Sequence, residues 1–220
     1  RNLGSVDNRG GEISSQHAFV LAADSLDNRN GKLLGEQDLG LRIARALLNG
    51  NGRLGAAALD LRAGSLDNRD GLVEAREGLA LNVDTLLGNQ QGKLLGANTS
   101  VTSQSLDNSD GLIQGDTSLT LSQSADVLNV NGQLLAGQDL TLTAASLDNH
   151  GGGRLNGQTR LTLDLLGGLL DNRDGWITTP GALLLNRLGR VDNRAGEISS
   201  QQAFVLAATA LDEVEQRVTV

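Results

Sequence analysis

The residues best suited to chemistry in this chain are its aspartates, and they recur in one setting. The pentapeptide Asp67-Asn68-Arg69-Asp70-Gly71 gathers two carboxylates and an amide before a glycine, an arrangement that resembles part of a calcium loop. Neither the full EF-hand spacing nor the glycine-rich nonapeptide of calcium-binding β-rolls accompanies it. An Asx-type turn is the better reading, and no metal site is expected. Asp148, Asp171 and Asp192 stand one repeat apart. Such carboxylates could divide the work of glycoside cleavage, one protonating the leaving group and another activating water. They occupy the same turn position as Asp67, however, and a catalytic site should break a repeat. Sugar platforms also call for Trp or Tyr, and the chain holds one Trp and no Tyr. No catalytic residue and no cofactor is therefore expected, and the chain is not read as an enzyme.

The remaining candidates are few. His17 and His150 are not paired with each other, and the near-duplicate segment carries Gln202 where His17 stands, so both imidazoles are expected at the surface. Trp176 lies beside the inward-facing Ile177, should point outward, and is the candidate surface contact. The absence of Cys excludes a disulfide framework, a thiolate metal site and a thiol nucleophile.

What positions all these residues is an internal repeat of about 20 residues. Val6-Asp7-Asn8-Arg9-Gly10-Gly11-Glu12-Ile13 returns as Leu26-Asp27-Asn28-Arg29-Asn30-Gly31-Lys32-Leu33 and onward to Val191-Asp192-Asn193-Arg194-Ala195-Gly196-Glu197-Ile198. The turn glycines are Gly11, Gly31, Gly52, Gly71, Gly92, Gly111, Gly132, Gly153, Gly175 and Gly196, at spacings of 19 to 22 residues. An apolar residue follows each by two places and must face inward. An asparagine precedes each glycine by three: Asn8, Asn28, Asn49, Asn68, Asn89, Asn108, Asn129, Asn172 and Asn193, with Asn149 matching after a one-residue insertion. A stacked amide both donates and accepts, so this column is expected to form a structural ladder.

The residue before the asparagine is Asp in seven copies and Leu48, Gly88 or Leu128 in three. The three interruptions alternate with Asp27, Asp67, Asp107 and Asp148. Carboxylates on adjacent coils would stand about 5 Å apart, so relief of like-charge repulsion is the expected cause. On that argument Asp171→Asn should stabilise slightly.

Farther along each unit comes a period-2 stretch such as Leu39-Gly40-Leu41-Arg42-Ile43 or Leu140-Thr141-Leu142-Thr143-Ala144, the pattern of a strand with one buried face. Each unit then reads as a short strand, a turn, a longer strand and the Asp-Asn turn. In the 19-residue units one residue is lost before the longer strand, so that Leu59, Leu61 and Ala63 keep their inward phase. No unit can bury its apolar face alone, so the units must stack. The expected fold is all-β: a parallel β-helix, or solenoid, of about ten coils with roughly 20 residues per coil. With strands about 4.8 Å apart it would be a rod on the order of 50 Å long.

Composition agrees. Of the 220 residues, 39% are apolar, but only two are Phe, one is Trp and none is Met, so Leu, Val, Ile and Ala must fill a narrow, uniform core. The 29 glycines and single proline point to many tight turns needing positive φ. A net charge of −8 with no basic stripe argues against nucleic acid as a partner. There is no apolar signal segment and no run of about 20 apolar residues. The chain starts and stops in mid-pattern and is expected to be a fragment of something larger.

Leu-Asp-Asn-Arg-x-Gly-x-Ile followed by Leu-x-Leu-x-Ala resembles the repeats of filamentous haemagglutinins, across residues 1–211. That family includes large exoproteins of two-partner secretion and related effectors of contact-dependent growth inhibition. The resemblance implies a right-handed β-helix, exported unfolded through an outer-membrane transporter of two-partner secretion. Folding outside a Gram-negative cell, it would form a shaft that carries adhesive or toxic parts. Residues 1–211 are expected to be one repeat domain. Residues 212–220, where Leu211-Asp212 is followed by Glu213 instead of Asn, are expected to be a degenerate last coil, a cap or the start of another region. A target-cell receptor or glycan is the other expected partner. The unit itself is expected to be monomeric, with end-to-end stacking of unpaired coil edges in a truncated fragment.

Overall fold

The computed structural model describes residues 3–212 and 218–219. Among them are 24 strands joined edge to edge and no helix. Every pairing is parallel and links residues about one repeat apart, so the chain is a β-solenoid of about ten coils. Parallel neighbours cannot be joined by tight hairpins. Here the connection from a strand to its neighbour is one complete coil.

Each coil contributes to three columns of strands, where the sequence pattern suggested two. The first column runs from Glu12–Ser15 through Lys32–Gly35 and Arg53–Ala56, with Leu33 paired to Leu54. The long strands Leu39–Leu48 and Leu59–Asp67 serve both other columns. They pair as Ile43 with Ala63, then resume as Ala46 with Ser65, one residue out of step. Two residues turn this corner in one coil and one in the next. The extra residue is accommodated because Gly64 has no Cβ to press on the carbonyl oxygens of Ala44 and Arg45. The third column consists of the two or three residues leading into the Asp-Asn turn, such as Leu86–Gly88 and Ser105–Asp107. It is too short to show alternation of its own.

The core is a set of aliphatic columns. Leu33, Leu54, Val73, Leu94, Ile113, Leu134, Leu155 and Ile177 are all fully buried in the first column. Leu41, Leu61, Leu81, Val101, Leu121, Leu142, Leu163 and Leu185 do the same in the second, and Leu47, Leu66, Leu87, Leu106 and Val127 in the third. Ile13, at the exposed end of the stack, is only half-buried. Burial of a Leu or Val side chain contributes about 1.5–3 kcal/mol, and almost all of it here is made between coils rather than within one. One corner is polar: Gln123 is buried, and its Nε2 donates to the Ser103 Oγ at 3.2 Å.

Val218 and Thr219 pair with Ile198 and Ser199 and so begin a further coil. The rest of the segment expected to be a cap or a degenerate coil lies outside the described residues.

Candidate functional site

The repeated turn is the most chemically dense part of the molecule. From Asn8 to Asn172, each asparagine Nδ2 donates to the Oδ1 of the asparagine one coil on. These are nine bonds of 2.6–2.8 Å, joining Asn8, Asn28, Asn49, Asn68, Asn89, Asn108, Asn129, Asn149, Asn172 and Asn193 in series. From Asn28 onward the same Nδ2 also reaches the carbonyl of the turn glycine, as from Asn108 to Gly111 at 3.2 Å. All ten side chains are buried, eight of them completely. The one-residue insertion after Asn149 is taken up by Gly151 and Gly152, both at positive φ, and leaves the amide column in step.

The turn glycines were expected to supply positive φ, and they do not. The left-handed residue is the one before: Asn30, Asn51, Asp70, Gln91, Asp110, Asn131, Asp174 and Ala195 have φ of 54–59°. The glycine is needed for space. A Cβ on Gly111 would collide with the Asn89 carbonyl oxygen of the preceding coil and stand 2.6 Å from Asn108 Oδ1. Gly31, Gly52, Gly71, Gly92, Gly132, Gly153, Gly175 and Gly196 meet the same obstruction. Gly11 has no asparagine carbonyl beneath it among the described residues and meets its own Asn8 Oδ1 at 2.7 Å.

The aspartates stand in register as anticipated, with Asp148 beside Asp171 and Asp171 beside Asp192. Their environment differs from the expectation of bare like-charge repulsion. Asp171 Oδ1 accepts from the backbone N–H of Arg173 at 3.1 Å and from its Nε at 2.9 Å, while Nη2 donates to Oδ2. The same fork joins Asp7 to Arg9, Asp27 to Arg29, Asp67 to Arg69 and Asp192 to Arg194. Arg173 Nε also lies 3.9 Å from the Asp192 carboxylate of the next coil. Positive and negative groups thus alternate along the column. The informative signal is Asp-x-Arg: where Asp gives way to Leu48, Gly88 and Leu128, the residue two places on is Gly50, Gln90 and Val130. Arg stands two places on in five of the seven Asp copies and in none of the three interrupted ones, while Ser109 and His150 take its place beside Asp107 and Asp148.

These contacts set the charge state. Hydrogen bonds from Arg29, Arg69 and Arg194 outweigh burial and hold Asp27, Asp67 and Asp192 below the usual carboxylate range. Burial works to raise Asp171, but the side-chain and backbone N–H groups of Arg173 still hold it down. At the exposed end, Arg9 brings Asp7 down to about 2.

Asp67 shows why a calcium loop is not assembled from 67–71. Its Oδ1 closes an Asx turn on the Arg69 N–H at 3.2 Å, and Asn68 is turned into the ladder. A different set meets elsewhere. Asp148, His150 and Asp171 bring one ligand atom each within 4.8 Å of the others, so these three residues could approach one cation. His150, expected free at the surface, is half-buried, with Nδ1 2.5 Å from Asp148 Oδ1. It fills the place that Arg fills beside the neighbouring aspartate. His17 is exposed. The cluster falls at the inserted coil, and the histidine in the Arg place was the sequence signal for it.

Two surface features lie outside the turn column. Trp176 is 38% exposed, and the Arg154 guanidinium lies 4.9 Å from its ring centroid, within cation–π range. An open groove of about 790 Å³ crosses the first six coils, lined by Glu12, Glu36, Arg53, Glu74, Arg76 and Asp116 among others. Gly55, Ala56 and Gly96 line it too, at the corners of the two 19-residue coils.

No curated protein and no solved structure matches the chain. A family model described as the haemagglutinin repeat matches residues 2–130, 113–187 and 154–220. The matches overlap to cover nearly the whole chain, on coils whose inward Leu columns and Asp-Asn turns have now been traced in three dimensions, and the chain therefore belongs to the haemagglutinin repeat family.

Proposed function

We propose that this solenoid is a rigid extracellular shaft of a secreted adhesin or contact-dependent toxin-delivery protein of a Gram-negative bacterium, holding binding or toxic parts away from the cell. The observation that carries the reading is the amide ladder, which passes through ten coils without interruption. A shaft needs uniform stacking, whereas a binding or catalytic domain needs a place where the pattern yields to a ligand. Export through an outer-membrane transporter of two-partner secretion follows from the family. Catalysis has no part in this reading, because Asp171 and Asp192 are each tied to an arginine of their own turn.

A second reading, direct binding of a receptor or glycan, is favoured by Trp176 and its Arg154 partner. Glycan-array and cell-binding measurements with the isolated chain separate the two. The shaft reading expects no saturable binding. Saturable binding that disappears in Trp176→Ala would replace it.

A further inference from the structure

Of the seven turns that carry the aspartate, six have an arginine or a serine two places on, and the seventh has His150. This turn is also the one lengthened by a residue. The charge column is unbalanced here. Asp148, Asp171 and Asp192 stand on three consecutive coils, with two guanidiniums, Arg173 and Arg194, among them. Asp107, the other aspartate without an arginine, is paired with Gly88 and Leu128 on its neighbouring coils and so meets no second carboxylate. It is also satisfied, by the Ser109 hydroxyl at 2.7 Å and by Gln90 Nε2 at 2.6 Å. Asp148 has Asp171 beside it and an imidazole in place of a guanidinium.

One ring nitrogen of His150 and one oxygen each of Asp148 and Asp171 lie within 4.8 Å of one another, and all three residues are half-buried. Two of the donors come from one turn and the third from the next coil. We propose that Asp148, His150 and Asp171 bind a divalent first-row transition cation of the zinc type, which ties the turn at 148–150 to Asp171 on the coil that follows. The donor set selects the class of ion. An imidazole with two carboxylates suits Zn2+ and its neighbours, which accept mixed nitrogen and oxygen ligands and leave an open position to water. Ca2+ takes six to eight oxygens, more than this site offers. Asp171 can serve although Arg173 holds it, because the backbone N–H, Nε and Nη2 of Arg173 engage three of the roughly four lone-pair sites of a carboxylate. The contact of His150 Nδ1 with Asp148 Oδ1, at 2.5 Å, gives way as the ion takes its place between them. Asn149, which stands between these two ligands in the chain, keeps its ladder bond to Asn172 at 2.7 Å, so the stack itself need not change. The ion supplies the positive charge that the column lacks at this coil.

The test titrates the untagged, EDTA-treated chain with Zn2+ by isothermal calorimetry and records thermal melts with and without the ion. Zinc should bind one to one and raise the melting temperature, whereas Ca2+ should do neither. His150→Arg installs the Asp-x-Arg fork of the neighbouring turns, so it should fold and should weaken zinc binding by roughly tenfold or more. His150→Ser, which copies the turn of Asp107 and Ser109, tests the same loss if arginine does not fit the lengthened turn. His17→Gln removes the only other imidazole of the chain and should bind zinc as the parent does. Asp171→Asn should also lose roughly tenfold or more in affinity, because one donor comes from the second coil. The proposal is overturned by the absence of saturable zinc binding, by binding that persists unchanged in both His150 variants, or by binding that disappears in His17→Gln. Undiminished binding in Asp171→Asn would equally overturn it, since the ion would then not join two coils.

Discussion

Asn108 accepts the Nδ2 proton of Asn89 at 2.7 Å and passes its own to Asn129 at 2.8 Å, inside a turn from which water is excluded. Asn108→Ala removes both bonds and leaves a buried donor and a buried acceptor without partners, at about 1–3 kcal/mol for each group. Ser109→Ala, beside it, loses only a partly exposed bond to Asp107. Thermal denaturation should place Asn108→Ala several degrees below Ser109→Ala. Equal melting temperatures would mean that the amide column contributes nothing to stacking.

Asp171→Asn should destabilise, reversing the expectation drawn from the aspartate column alone. Substitution keeps an oxygen for the Arg173 backbone N–H but gives up the charge-assisted bonds to the guanidinium, on the order of 1 kcal/mol after solvent screening. It also leaves Arg173 with one carboxylate neighbour, Asp192, instead of two. Chemical denaturation of the two proteins at low salt decides the sign. A more stable variant would restore repulsion as the cause of the alternation.

The same pairs predict an acid transition. Asp27, Asp67, Asp171 and Asp192 are held below 3.8 in the folded chain, so on acidification the unfolded chain takes up protons first. Stability from these groups is complete above about pH 5 and is lost as pH falls through the depressed folded values. Melting temperature should be level from neutrality to about pH 5 and should decline steadily below pH 4. A rise in that window would contradict the pairing.

Gly111→Ala and Gly78→Ala should differ sharply. At Gly111 an added methyl meets a backbone oxygen of the neighbouring coil, which cannot move without opening the stack, so loss of folding or a fall of several kcal/mol is expected. At Gly78 no atom lies within 4 Å, and alanine should be neutral or slightly stabilising. Circular dichroism melts of the two variants suffice to compare them.

Ala195 has φ of 57°, in a turn whose near-copy carries Gly10 at φ 63°. Left-handed backbone costs a residue with a Cβ roughly 1–2 kcal/mol, so Ala195→Gly should raise the melting temperature by a few degrees. A drop would show that the methyl makes a compensating contact.

The sequence by itself determined the repeat, the coil number, the inward columns and the asparagine column. All of these are periodic, and a column in a stacked solenoid is only a period projected into space. Tertiary structure decided what depends on the corners and on neighbours one coil away. It split the long strand between two columns, because Ile43 to Leu47 and Ala63 to Leu66 turn the same corner with different numbers of residues. Positive φ was moved from the glycines to the residues before them, because the glycine site is crowded by the preceding coil's asparagine carbonyl. Each column aspartate was given a partner two residues on, and His150 was drawn in beside Asp148 and Asp171. None of these follows from alternation along the chain. They arise where a side chain meets the coil above or below, some 20 residues away in sequence but about 5 Å away in space.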